Sequence, residues 1–134
     1  MITLVDSNVI LDLVTDDPKW GTWSAEALSR AADESALAIN PLIFAELSIG
    51  FATVEELEQL LPPEEFERLE LPYEAAFLAG KAFLSYRRRG GVKGAPLADF
   101  YIGAHAAVRG MRLLTRDPRR YRTYFPTVQL IAPQ

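Results

Sequence analysis

Short apolar, β-branched runs alternate along this chain with helical stretches of about 10–17 residues, and that rhythm restricts the fold more than any other feature. Ile2-Thr-Leu-Val5 reads as a buried strand. The capping residues Asp6-Ser7-Asn8 follow it and lead into a helix over 9–14. A helix over 20–34 is expected from the spacing of Trp23, Ala27, Leu28 and Ala31, and a strand over 36–39 comes next. Asn40-Pro41 opens an apolar helix over 42–49, stopped near Gly50. A short acidic helix over 54–61 ends at Pro62-Pro63, and 66–71 suits a third strand, with a helix as the other reading. A helix over 73–89 closes on Arg87-Arg88-Arg89, cations where the helix dipole favours them. After a loop over 90–94, Pro96 starts a helix to about 109. Strands over 113–115 and 128–131 flank an Asp117-Pro118 turn. Strands separated by helices of this length pair in parallel and are covered on both faces, an α/β architecture. In such sheets the functional crevice lies beyond the carboxyl ends of the strands, where strand order reverses, and Asp6 and Asp117 both fall just after strands.

The 134 residues suit one domain spanning 1–134, and 49% of them are hydrophobic, enough for a core without cross-links. Cysteine is absent, which excludes disulfides and thiolate metal sites and fits a reducing cytoplasm. The opening Met1-Ile-Thr-Leu-Val-Asp6 has no basic leader, and no apolar run approaches the ~18 residues of a membrane span. A soluble, cytoplasmic protein with no membrane partner is expected. The net charge of −4 hides an uneven distribution: residues 1–80 hold 16 of the 18 acids but only Lys19, Arg30 and Arg68 among the bases. The basic remainder contains only Asp99 and Asp117 as acids, and carboxylates inside a positive field are places to look for metal and phosphate chemistry.

Four acids stand where an acid is hard to explain. Asp6 ends an apolar strand; it is open to a capping role, although Ser7 and Asn8 are also available for that. Glu46 interrupts the apolar run Leu42-Ile-Phe-Ala-Glu-Leu-Ser-Ile49, and either faces a gap in the surface or is buried at a cost. Asp99 sits in the first turn of a helix, where the dipole alone favours an acid. Asp117, taken singly, is an ordinary Asp-Pro turn residue. Converging on one crevice, the four would repel, at least one pKa would rise, and a hard divalent cation would relieve the strain. With no Cys and one His, zinc is a poor fit and Mg2+ or Mn2+ the natural occupant.

Val5-Asp6-Ser7-Asn8-Val9-Ile10, Glu46 on the third helix, Pro96-Leu-Ala-Asp99-Phe-Tyr-Ile-Gly-Ala and Leu113-Leu-Thr115-Arg-Asp117 together resemble the four acidic stations of PIN-domain ribonucleases, in order and approximate spacing. In length the chain looks most like the VapC toxins of toxin–antitoxin pairs. The resemblance implies a three-layer α/β/α sandwich around a parallel central sheet, Mg2+-dependent RNA cleavage (Mn2+ in its place) and inhibition by a cognate antitoxin; a homodimer is expected. It further implies cleavage by metal-activated water to leave a 5′-phosphate and a 3′-hydroxyl, with Asp6 and Asp99 as direct ligands and Glu46 and Asp117 acting through waters or a second ion. Asn8 and Thr115 are expected to orient the carboxylates or hold water, and Arg116 to meet RNA phosphates; Arg87, Arg88 and Arg89 read equally as phosphate contacts or as a solvated helix end. Ser7 stands where the family often has Thr. His105, six residues past Asp99, is read as packing or surface. Trp20, Trp23, Phe44 and Phe51 are read as core, with a groove for an antitoxin helix as the other reading. Two rival functions stand beside the nuclease. A phosphatase of the haloacid dehalogenase type would need a second Asp where Asn8 stands. A non-catalytic PIN-like scaffold would have no need to keep four acids.

Overall fold

A computed structural model of the chain describes residues 1–91 and 97–134. In chain order the elements are β1 (Ile2–Val5), α1 (Ser7–Val14), α2 (Gly21–Glu34), β2 (Ala36–Ile39), α3 (Pro41–Ser48), α4 (Val54–Leu60), β3 (Phe66–Arg68), α5 (Tyr73–Arg88), α6 (Leu97–Arg109), β4 (Arg112–Leu114), α7 (Arg119–Tyr124) and β5 (Leu130–Ile131). All four strand pairings are parallel, in the order β3-β2-β1-β4-β5. Helices cover both faces, giving the expected three-layer α/β/α sandwich.

The three inner strands carry the core. Leu4, Val5, Ala38, Ile39, Leu113 and Leu114 are almost fully buried on either side of the pleat, as strands covered on both faces require. The flanking strands have one neighbour each, and their pairing is short. β3 covers only the first half of the expected 66–71 run, and β5 only the second half of 128–131. Side-chain caps open α3 and α4, Asn40 as its place before Pro41 suggests. Asn40 accepts from the Ile43 N–H at 3.0 Å to start α3, and Thr53 from the Glu56 N–H to start α4. Residues 92–94 of the expected loop, and Pro96 as the start of α6, lie outside the described residues. Among the described residues no helix is long and apolar enough to cross a membrane.

One element departs from the sequence reading. The stretch after Asp117-Pro118 is not simply a turn into β5: it forms α7, with Tyr121 and Phe125 buried at helical spacing. Gly103 on α6 makes room for it, since a Cβ there would run into the Phe125 ring and press on Tyr121.

The topology fixes where function belongs. From β1 the chain winds outward to β2 and β3, then returns to lay β4 against the other side of β1. The order therefore reverses between β1 and β4, and the crevice above their carboxyl ends is the switch point.

Candidate active site

Asp6 leaves β1 at this switch point. Its backbone N–H joins Leu114 O at 2.9 Å, which fixes the residue against β4, and its backbone begins α1 as the N-cap. Oδ1 accepts from the Ser7 N–H at 2.8 Å, while Oδ2 accepts from the Thr115 hydroxyl at 3.0 Å and the Tyr121 phenol at 2.9 Å. The capping and site readings of Asp6 thus hold at once. All three donors are neutral, and Asp6 as a residue is only 4% exposed. Burial, the negative charge of Asp99 and, less strongly, that of Glu46 push its pKa up to about 6, against the pull of the two hydroxyls.

Asp99, in the first turn of α6, reaches the same crevice. Burial raises its pKa, opposed chiefly by Arg120, whose Nη1 meets Oδ2 at 2.8 Å. Glu46 is half-buried on α3 and accepts from the Ser7 hydroxyl at 2.9 Å; burial raises its pKa, and Asp99 adds to the rise. Asp117 is exposed in the β4–α7 connection, with Arg119 Nε 3.5 Å from its Oδ1. A cavity of about 430 Å3 is lined by Asp6, Asp99 and Asp117 together with Asn8, Arg120 and Tyr121. Glu46 is not on its wall; its link to the group runs through Ser7, through its field on Asp6 and through the field of Asp99 on it.

Thr115 organises this corner. Its one hydroxyl proton goes to Asp6, and its oxygen accepts from the Asn8 amide at 3.3 Å and the Asp117 N–H at 3.1 Å. The other end of the Asn8 amide accepts from the Arg116 N–H at 3.2 Å. Thr115 thus bonds Asp6 directly, and Asn8 joins the group indirectly, through Thr115 and the Arg116 backbone. The Arg116 side chain is turned to other work. Its Nε meets the buried Asp12 carboxylate at 2.8 Å, an oxygen that also accepts from Ser24, and its guanidinium lies over the Trp20 ring. Of the Arg87-Arg88-Arg89 triplet, only Arg89 approaches the cavity wall, its guanidinium 5.4 Å from the centre of the Tyr124 ring. His105 is buried, with Nδ1 3.1 Å from the Asn40 amide, and packs the α3–α6 contact. Trp23, Phe44 and Phe51 pack against the core; Phe44 and Phe51 also face a small cavity between α3 and α4.

Ser7, Arg120 and Tyr121 are contacts of the acids that sequence reading passes over. The last two come from α7. Pro118 followed by Tyr121, Tyr124 and Phe125 at i, i+3 and i+4 is the signal that would have revealed that helix.

Among the described residues no three carboxylate or imidazole groups stand close enough to share one ion. The donor chemistry nonetheless suits a hard divalent cation. Every candidate ligand is an oxygen, and the charge of Asp6 is opposed by Asp99 and Glu46 without a cation of its own.

Comparison with solved structures supports the fold. The chain is 19% identical to a chain in the crystal structure of VapBC2 from Rickettsia felis bound to a promoter DNA fragment, with a TM-score of 0.75 and complete coverage of both chains. It is similar, again at 19% identity, to VapBC-1 from nontypeable Haemophilus influenzae (TM-score 0.74, 98% of each chain). A toxin-antitoxin complex from Klebsiella pneumoniae matches at 19% identity and a TM-score of 0.69, over 98% of each chain. No curated protein sequence matches significantly. The family model for the PIN domain matches residues 3–126, and with the parallel sheet and the acids above its switch point in view, the chain belongs to the PIN domain family.

Proposed function

We propose that this PIN-domain chain is a divalent-cation-dependent endoribonuclease and the toxin of a toxin–antitoxin pair, acting in the cytoplasm. The observation that carries the reading is the meeting of Asp6, Asp99 and Asp117 in one cavity above the switch point, with Glu46 tied in through Ser7. Mg2+ or Mn2+ held by these four would activate water against a phosphodiester and offset the charge that builds on its oxygens. The chain's own groups supply the rest. Ser7, Thr115 and Tyr121 fix Asp6 in a single orientation. Arg119 and Arg120 line the cavity beside the acids and join Arg89 as groups for RNA phosphates. Arg87 and Arg88 extend that basic edge, while Arg116 contributes through its hold on Asp12.

The partner half of the reading draws on the VapBC likenesses and on a groove of about 690 Å3. Ile10, Leu13, Leu28, Leu60 and Phe66 line it, with Glu64, Glu65 and Glu67 beside them. An apolar floor with acids on its rim suits a basic amphipathic segment of an antitoxin. A homodimer would cover Tyr73, Phe77 and Leu84, which stand exposed at helical spacing on α5.

End-labelled RNA incubated with Mg2+ or Mn2+ tests the reaction. Cleavage that chelator abolishes, that Asp99→Asn lowers by at least about a hundredfold, and that leaves 5′-phosphate and 3′-hydroxyl ends is expected. Products ending in a 2′,3′-cyclic phosphate would overturn the chemistry. A non-catalytic binding module is the second reading, favoured by the ion pair that already engages Asp99. No cleavage, together with a melting temperature that neither ion shifts, would select it.

A further inference from the structure

Asp6 and Glu46 receive only neutral donors among the described residues, whereas Asp99 has a full cation on it. Arg120 Nη1 meets Asp99 Oδ2 at 2.8 Å, with the two side chains 29% and 30% exposed. The guanidinium is seated on aromatic faces, 5.3 Å from the centre of the Tyr86 ring and 5.6 Å from that of Phe100. Its helix is anchored close by, since the neighbouring Tyr121 bonds Asp6 and Phe125 packs against Gly103. Arg120 is therefore placed by the fold. It supplies positive charge at the edge of a group of carboxylates that repel one another.

The guanidinium holds Asp99 Oδ2, and a divalent cation sharing this carboxylate would stand a few ångströms from that positive charge and be repelled by it. We infer that Arg120 is the built-in counter-ion of this site: it holds Asp99 while no metal is bound, and a divalent cation engages Asp99 only as the guanidinium leaves. The inference rests on the metal-dependent reading above and adds a positioning residue to it.

Calorimetric titration of the whole chain with Mn2+ tests the exchange, with Arg120→Ala, Arg120→Lys and Arg122→Ala alongside the parent. Arg122 lies on the same helix, is exposed and does not line the cavity, so its removal controls for charge alone. Arg120→Ala is expected to bind Mn2+ about fivefold tighter, the upper end of what one partly exposed ion pair supplies. Arg120→Lys should fall between, and Arg122→Ala within about twofold of the parent. Without metal, Arg120→Ala should melt lower than the parent, and Mn2+ should raise its melting temperature by more. A residue that only braced the fold would lower the metal-free melting temperature and leave Mn2+ affinity unchanged or weaker; that result overturns the exchange while the nuclease reading stands. Equal tightening in Arg122→Ala overturns it as well. Should neither the parent nor the variant bind Mn2+, both readings fall. If Arg120→Ala does not fold, Arg120→Lys carries the same titration.

Discussion

The two ends of the central sheet handle buried charge in opposite ways. At the amino end, Arg112 opens β4 only 9% exposed, and each arm of its guanidinium has a partner: Nε on Thr3 at 3.1 Å, Nη1 on Glu34 at 3.0 Å, Nη2 on Ser35 at 3.1 Å. At the carboxyl end, Asp6 is as deeply buried, but it is met by hydroxyls and an amide and pressed by two further acids. A buried charge with every bond made is a fastener for the strands around it. One held in a charged state against its surroundings stores free energy, which a ligand of opposite sign can release. The contrast separates scaffold from site without reference to any relative.

Substitutions at the two ends should therefore move stability in opposite directions. Arg112→Ala leaves Thr3, Ser35 and Glu34 without their shared donor and should destabilise the chain by roughly 2–4 kcal/mol in urea denaturation. An unchanged midpoint would dissolve the contrast. Asp6→Asn should do the reverse in metal-free protein. The folded pKa lies near 6, above the ordinary 3.8, so the native state binds more protons than the unfolded chain between those values. Stability is fully present below the lower value and is lost as pH rises through the upper one. The advantage of Asp6→Asn should thus be absent near pH 4, grow through pH 6, and reach roughly 2–3 kcal/mol at neutral pH. Paired denaturation curves across that range measure it, and a pH-independent difference would contradict the origin assigned to it.

Two smaller effects probe how α7 reaches the site. Gly103→Ala pushes on Phe125 and Tyr121 and should cost roughly 1–2 kcal/mol, while weakening the Mn2+-induced rise in melting temperature. A stability loss with the metal response intact would show that α7 can shift without disturbing Asp6. Tyr121→Phe removes one donor from Asp6 Oδ2 and should cost about 1 kcal/mol at neutral pH. It should also raise the pKa of Asp6 further, visible as an upward shift of the pH profile described above.

Much of this was legible in the residues. The five strands and first six helices follow from apolar spacing and caps, because those signals are local. The ends of β3 and β5 were not, since a flanking strand lasts only as long as its single neighbour pairs with it, a tertiary matter. Asp6 and Asp117 could be placed by their positions after strands, Glu46 by its misfit with an apolar helix, and Asp99 as an acid inside the basic part of the chain. That Asp6 shares its oxygens among Ser7, Thr115 and Tyr121 could not be read, because these contacts join residues up to 115 positions apart. Arg116 reads in sequence as a cation for RNA phosphates; that its side chain pairs with the buried Asp12, more than a hundred positions earlier, could not be read.

The outermost strands of the sheet, three and two residues long, have a consequence for how this chain behaves in company. Each margin shows other molecules only a brief row of unpaired amides and carbonyls, and Glu67 and Arg68 on β3 stand exposed there. A stray strand would find too few bonds to dock, so fibre growth by stacking sheet upon sheet has little template. Copies of this chain left at high concentration should stay dispersed or meet through helices.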